Sequence, residues 1–362
     1  MNKTNIIIGS IITTSIMAIF FSCSDNYYDS PKQHLSDEPK EIILINWEKY
    51  FDLSVLKDFE KQTGIHVTLK EYGQVDELIS RLQSDPTQYD IIITDWVAMS
   101  FLIKSKMLAK LELSRLPNFK HIDKHYKNLP FDADNTYSIP YLYGTTGLAV
   151  NTRFVKEPVT SWNVLYDPRY KSKIALMADP RETMTAILKS QGLSVNTKNR
   201  DQLKVAEGKA LLLRENGVVF SNYYPLEKEI KKGNVWIAMA YSGDLLKATQ
   251  KNPDIVYVLP VEGSNKFIDN YTISRYSKKT EEVYAFLNFI LDPKIAARIS
   301  NSQFYASPNR DAAPMIRKDI RSNPIIYPPK ESLDRCEYLD DVGEMHNEYV
   351  RIYNLMQKKS LQ

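Results

Sequence analysis

Asp179 and Glu182 stand three residues apart in the run Asp179-Pro180-Arg181-Glu182, directly after an apolar stretch. Two carboxylates so placed could divide the acid and base work of glycoside hydrolysis. The same four residues also spell a helix start, with Asp at the N-cap, Pro in the first helical position and Glu two residues further on. A capping carboxylate at a strand-to-helix turn sits at the mouth of the sheet, so the two readings are compatible. The sequence holds no G-x-S-x-G, no Walker loop and no G-x-G-x-x-G, and nothing marks an activated nucleophile. No residue is therefore assigned a catalytic role. His121 and His125 are four apart and could ligate a metal from one helix face, but no third partner accompanies them. Neither a metal nor a cofactor is expected.

A different chemistry accumulates along the chain. At strand ends or turns it offers the aromatic residues Trp47, Tyr50, Trp96, Tyr241, Phe267 and Tyr305, and the carboxylates Glu48, Asp95, Asp179, Glu182 and Asp269. Any one aromatic at a strand end is more often packing than a ligand wall. Together, aromatic walls with several carboxylates and no paired Arg suit an organic cation. An ammonium over a ring face gains about 0.5–2 kcal/mol, and a charge-assisted hydrogen bond about 1.5–3 kcal/mol. A few such contacts reach micromolar binding, about 8 kcal/mol. Burying so many carboxylates with no cation would be unfavourable.

These side chains need elements to hold them. Ile43-Leu44-Ile45-Asn46 is a short apolar run without helical period, a buried strand that delivers Trp47, Glu48 and Tyr50 at its carboxyl end. Ligands of open α/β sheets sit outside such ends. Leu53, Leu56 and Phe59 have helical spacing, stopped by Gly64; Ile65 to Leu69 alternates as a strand; Val75, Leu78, Ile79 and Leu82 form a second helical face. Asp90-Ile91-Ile92-Ile93 is a buried strand presenting Asp95 and Trp96. Strand, helix, strand, helix, strand predicts a parallel α/β arrangement here. A middle region runs from Ser138 to Asn151, with Gly144 and Gly147 flanking a Thr pair. Further strands are expected over Lys173–Ala178, Val235–Ala240, Ile255–Leu259 and Tyr271–Ile273, and helices around Val283–Leu291 and Tyr349–Met356.

Bulk properties narrow the class. The 362 residues are 43% hydrophobic and 25% charged, which suffices for two lobes or domains. A formal charge of +3 with no Lys/Arg stripe gives no support for nucleic-acid binding. Lys3 precedes an uncharged, Ile-rich stretch ending in Phe20-Phe21-Ser22-Cys23. This has the form of a secretory signal over residues 1–22 closed by a lipobox, with Cys23 as the lipidated N-terminus. Residues 23–40 are polar and read as a tether. Cys336 is then the only other cysteine, so no intramolecular disulfide framework is available.

From about Glu41 to the C-terminus the chain resembles the spermidine/putrescine-binding proteins of bacterial polyamine ABC transporters. The likeness runs through Asn46-Trp47-Glu48-Lys49-Tyr50, Tyr89 to Ile93, Tyr137-Ser138-Ile139-Pro140-Tyr141-Leu142-Tyr143-Gly144-Thr145-Thr146-Gly147 and Thr160-Ser161-Trp162. It continues through Asp179-Pro180-Arg181-Glu182, Phe304-Tyr305-Ala306-Ser307-Pro308-Asn309 and Asp340-Asp341-Val342-Gly343. The resemblance implies a two-lobed α/β fold of the periplasmic-binding-protein type II class, each lobe a mixed sheet flanked by helices, joined by crossing hinge strands. By position it assigns residues 41–148 and 269–314 to the N-terminal lobe, and 149–268 and 315–362 to the C-terminal lobe.

Carried over residue by residue, Trp47 and Tyr50 match aromatic contacts, Asp179, Glu182 and Asp269 match amine-binding carboxylates, and Tyr305 matches a further contact. Tyr241 and Phe267 stand where the spermidine binder has tryptophans. Departures are Glu48 for a Thr, Asp95 for a Ser, Val97 for a Tyr and Leu339 for a Gln. The implied protein is a periplasmic, lipid-anchored monomer without enzymatic activity. It touches the membrane only through its lipid, captures a polyamine by lobe closure and hands it to an ABC permease. The alternatives are another small organic cation, an amino acid or a metal complex on the same fold, a sensor without a permease, and a carboxylate-pair hydrolase.

Overall fold

A computed structural model describes residues 40–221 and 223–357. The expected signal, Cys23 and all of the tether but Lys40 lie outside these residues.

The strands are β1 (Glu41–Trp47), β2 (His66–Tyr72), β3 (Ile91–Thr94), β4 (Ile139–Asn151), β5 (Ile174–Met177), β6 (Val219–Ser221), β7 (Ile237–Tyr241), β8 (Ile255–Val258), β9 (Asn265–Ile273) and β10 (Glu337–Tyr338). The first helices are α1 (Leu53–Thr63), α2 (Val75–Ser84), α3 (Trp96–Lys104), α4 (Pro180–Lys189), α5 (Arg200–Glu215) and α6 (Tyr223–Lys232). They are followed by α7 (Ser242–Thr249), α8 (Thr280–Ile290), α9 (Pro293–Gln303), α10 (Lys318–Arg321), α11 (Lys330–Leu333) and α12 (His346–Gln357).

Local chemistry sets the helix ends. Asp52 caps α1 by accepting the Ser54 N–H at 2.9 Å. Gly64 stops it at φ 71°, a left-handed conformation that glycine adopts without Cβ strain, and its N–H reaches the Glu60 carbonyl at 2.8 Å. Asp292-Pro293 ends one helix and begins the next: α8 closes at Ile290, and Asp292 caps α9.

The strands follow the order β2-β1-β3-β9-β4-β7-β5-β6, with β10 beside β9 and β8 beside β4. β1 runs parallel to β2 and β3, and β5 runs parallel to β6 and β7. β9 is antiparallel to both β3 and β4. The sheet is thus mixed, and the parallel reading of the first three strands holds only locally. The middle region is one 13-residue strand, and β9 spans 9 residues where the sequence marked three. Pro140 lacks an N–H and stands at a register irregularity against β9, which obscured the strand in the sequence. Residues 139–145 of β4 pair with β9, whereas 146–151 pair with β7 and β8.

Side-chain alternation then divides the interior. Ile42, Leu44, Ile91 and Ile93 face one apolar cluster, and Ile45 and Ile92 face another. Beyond β4, Leu148, Val150, Leu176 and Met239 join Trp162, Leu203 and Tyr349, whereas Ala149, Ala175 and Ala238 face the opposite side. Both faces of the sheet are covered, which is why its strands read as continuous apolar runs.

Gly147 sits where β4 meets β8, and a Cβ there would lie 2.5 Å from the Val258 carbonyl oxygen. Backbone cannot yield as a side chain does, so Gly147→Ala should cost about 1–3 kcal/mol. A lowered urea midpoint checks this; an unchanged one would show that the contact is soft.

Candidate functional site

Four carboxylates are brought together. Asp95 and Asp179 lie just past strand ends, and Glu182 lies in the first turn of α4. Asp269, like Phe267, lies inside β9 and not at the strand end or turn expected for them. Asp179 follows β5 and caps α4, its Oδ1 accepting the N–H groups of Arg181 at 2.8 Å and Glu182 at 2.9 Å. The capping reading of Asp179 is therefore realised. Glu182 does not return the cap but turns inward, where its Oε1 accepts from Asn265 Nδ2 at 3.0 Å and, at the limit of hydrogen bonding, from the Tyr241 hydroxyl at 3.5 Å. Glu182 is 7% exposed, and its Oε2 completes no hydrogen bond of ordinary geometry, although Thr146 faces the carboxyl. Burial pushes this carboxyl up to about 8, reinforced by the charge of Asp179.

Asp269 lies on β9, where period-two alternation sets it on the same face as Asn265 and Phe267. It is buried, and desolvation followed by the charge of Asp95 raises its carboxyl to about 7; Tyr50 and Trp47 face it and pull the other way. The Tyr50 hydroxyl completes no hydrogen bond of ordinary geometry. Asp95 caps α3 through a 2.8 Å bond from the Ala98 N–H. Burial raises its carboxyl to about 6, opposed by the Ala98 and Val97 amides and supported by Asp179. The charges of all four carboxylates reach the Tyr241 hydroxyl, Glu182 most strongly, which places them within electrostatic range of one ring.

One guanidinium, that of Arg181, lies within electrostatic reach of Asp95, Asp179 and Glu182. It is committed elsewhere, with Nη1 donating to the Asp340 carbonyl at 2.8 Å, Nη2 donating to Asn196 Oδ1 at 2.7 Å, and the Tyr349 ring 4.8 Å away. Among the described residues no ion pair joins it to the four carboxylates.

Aromatic rings complete the enclosure. Tyr241 meets Phe267 edge-on at 5.4 Å, Phe267 meets Tyr305 at 6.0 Å, and Tyr305 meets Tyr50 at 5.2 Å. Such T-shaped contacts fix ring orientation through the quadrupole. Gly243 lets the Tyr305 ring approach, since a Cβ there would stand 2.5 Å from it.

Nine predicted residues thus converge: Trp47, Tyr50, Asp95, Asp179, Glu182, Tyr241, Phe267, Asp269 and Tyr305. Two do not join them. Glu48 is exposed beside Gly73. Trp96 stacks on Phe131 at 4.7 Å and donates to Asp340 Oδ1 at 3.2 Å, forming a flank instead. His121 and His125 pair with Asp311 and Asp123 at 2.6 and 2.7 Å. The sequence reading missed Asn265, although alternation from Asp269 and Phe267 would have pointed to it. It also missed Asp340 as a bonding partner of both Trp96 and Arg181, for which no local signal exists.

The arrangement has a pH signature. Unfolded carboxyls titrate near 3.9 for Asp and near 4.3 for Glu; those of Asp95, Asp269 and Glu182 are raised in the fold. The folded chain then holds protons that the unfolded chain has released, so the protein alone should lose stability from about pH 5 to about pH 8. Carboxyls held low by the fold, such as Asp85 and Asp319, have completed their contribution below this window. Glu182→Gln should flatten the profile, as read from urea midpoints across it. A native chain equally stable at both ends would contradict the assignment.

The sequence profile of the family described as bacterial extracellular solute-binding protein matches residues 54–328. The spermidine/putrescine-binding periplasmic protein of Escherichia coli is 29% identical over 320 residues, covering 88% of this chain and 92% of its own. The putrescine/cadaverine-binding protein of Pseudomonas aeruginosa is 30% identical over 317 residues, covering 84% and 89%. Among solved structures, the spermidine/putrescine ABC transporter substrate-binding protein PotD of Streptococcus pneumoniae superposes with a TM-score of 0.80 at 27% identity, over 88% of this chain and 98% of its own. The TpPotD lipoprotein of Treponema pallidum gives 0.79 at 25% identity, over 88% and 99%. The fold is the type II periplasmic-binding-protein fold of these neighbours. The chain belongs to the bacterial extracellular solute-binding protein family, whose members bind solutes for transporters and are not enzymes.

Proposed function

We propose that this protein captures a linear polyamine and delivers it to the permease of an ABC transporter. The observation that carries this reading is the set Asp95, Asp179, Glu182 and Asp269, gathered inside an aromatic enclosure with the neighbouring guanidinium bonded elsewhere. Buried carboxylates that repel one another cost free energy unless a cation joins them. Ammonium groups supply that charge, and the methylene spacers between them suit the faces of Tyr50, Tyr241, Phe267 and Tyr305. The names of the relatives in Escherichia coli and Pseudomonas aeruginosa point to the same ligand class.

The mechanism is closure of two lobes, residues 41–148 with 269–314 against 149–268 with 315–362. Support comes from the division of the apolar interior on either side of β4 and from the way β4 pairs with β9 in its first half and with β7 and β8 in its second. A ligand that touches Asp269 and Tyr50 from one lobe and Asp179 and Glu182 from the other is fully held only when the lobes are shut. It therefore shifts the population to the closed form. In this reading residues 1–22 direct export, Cys23 carries lipid, residues 23–40 tether a monomeric domain at the membrane, and no cofactor takes part.

A thermal-shift screen of putrescine, cadaverine, spermidine and spermine against unrelated amino acids and sugars tests the class. A ligand at 100 times its dissociation constant adds about 2.7 kcal/mol, which raises the melting point by several degrees. A folded protein silent to every polyamine would end the reading. For the carboxylates, Asp269→Asn should weaken polyamine binding at least tenfold by calorimetry; unchanged affinity would remove Asp269 from the site.

A further inference from the structure

The four carboxylates are not equivalent. β3 and β9 are antiparallel, and their last aligned pair is Thr94 with Asn270. One step further along this register sets Asp95 opposite Asp269. On its other side Asp95 is joined to the α4 end of the site: the adjacent Trp96 donates to Asp340 Oδ1 at 3.2 Å, and the Asp340 carbonyl accepts from Arg181, between Asp179 and Glu182 in sequence. Asp95 therefore stands between the Asp269 end and the Asp179/Glu182 end. The order of electrostatic influence agrees, because Asp269 is acted on by Asp95 alone among carboxylates, whereas Glu182 is acted on by Asp179 before Asp95.

Capping explains why an Asp is tolerated at this position, but not why its charge faces the other carboxylates. Ser, Thr or Asn would cap α3 as well without adding an anion. Glu182 gives a second, independent indication of a ligand: its Oε2 is buried and completes no hydrogen bond of ordinary geometry, although Thr146 lies beside the carboxyl. Arg181 is bonded elsewhere, so the four carboxyls are left for the ligand to satisfy. The two ammonium groups of a diamine reach two ends of this set, whereas a triamine brings a third ammonium for the carboxyl between them.

Resting on the polyamine reading of this site, we propose that Asp95 is its specificity-determining residue and takes the internal secondary ammonium of a linear triamine. The terminal ammoniums of that triamine lie at Asp269 and at Asp179 with Glu182. A diamine fills the two ends and leaves Asp95 without a partner.

The test is calorimetric titration of the full chain and of Asp95→Asn with spermidine and with putrescine. Asn keeps the N-cap acceptor and removes only the charge. Asp95→Ser repeats the comparison with a shorter cap, and melting curves without ligand verify that both variants fold. The unsubstituted chain should bind spermidine more tightly than putrescine. Each variant should lose at least tenfold for spermidine while changing less than about twofold for putrescine. Equal loss for both amines, or no loss for either, would overturn the assignment of Asp95 and leave the polyamine site standing, as would an unsubstituted chain that prefers putrescine. An unsubstituted chain that binds neither amine would overturn the site itself.

Discussion

Like charges gathered in a low-dielectric interior are the constraint on which this structure turns. Asp95, Asp179, Glu182 and Asp269 each have their ionised form opposed first by burial and then by a neighbouring carboxylate. Two of them, Asp95 and Asp179, are eased by capping α3 and α4, where backbone N–H groups and the positive end of the helix dipole meet them. Asp269 has the facing Tyr50 and Trp47, and Glu182 has Thr146, Asn265 and a long contact from Tyr241. The protein thus relieves its four anions partly and unequally. A fully paired site would have nothing left to recognise a cation; a wholly unpaired one would weigh against folding.

Holding that group in place falls to two strands and one late segment. β9 carries Asn265, Phe267 and Asp269 on one face while pairing with β3 and β4, so the carboxylate and its ring neighbour are fixed by ladder geometry. β4 passes between the strand groups with glycines where neighbours press closest: a Cβ at Gly144 would meet the Phe267 ring at 2.8 Å. The segment around β10 runs along the other side. The Tyr338 carbonyl accepts from Asn196 at 2.8 Å, the Asp340 carbonyl takes Arg181, the Asp340 carboxylate takes Trp96, and Asp341 pairs with Lys104. The ion pair is exposed and worth little by itself. Its partners lie on α3 and beyond β10, so this segment ties the surroundings of Asp95 to those of Arg181.

Arg181 shows how neighbouring groups are separated by purpose. It sits between two carboxylates in sequence, and pairing with them would have cancelled the charge of the site. Instead its guanidinium is drawn off by carbonyls of Val195 and Asp340, by Asn196 Oδ1 and by the face of Tyr349. Tyr349 is itself held by hydrogen bonds to Val195 and Thr197 carbonyls at 3.1 and 3.0 Å. The fixed orientation of this arginine rests on α12, which is more than 150 residues away along the chain.

Much of this was legible in the sequence because it depends on local rules. Apolar runs of four to seven residues gave β1, β3 and β5, helical spacing with Gly64 as the stop gave α1, and Asp179-Pro180 marked the start of α4. The convergence of aromatics and carboxylates followed from the rule that α/β sheets bind ligands at strand ends, and the resemblance to polyamine binders sharpened it. That rule holds for Trp47, Asp95, Asp179 and Tyr241 but not for Phe267 and Asp269 inside β9. The sequence alone could not show that Ser138–Asn151 is one strand, because Pro140 and two glycines interrupt the β pattern and only pairing with β9, β7 and β8 makes it continuous. Nor could it sort Glu48 from Asp95. Both follow a buried strand, but Glu48 lies just past a strand flanked by β2 and β3 and reaches solvent, whereas the register of β3 against β9 carries Asp95 to Asp269. Local propensity determined which residues begin and end each element. Strand register and contacts between residues far apart in the chain decided which charges share one interior, because only these set the distance and dielectric between them.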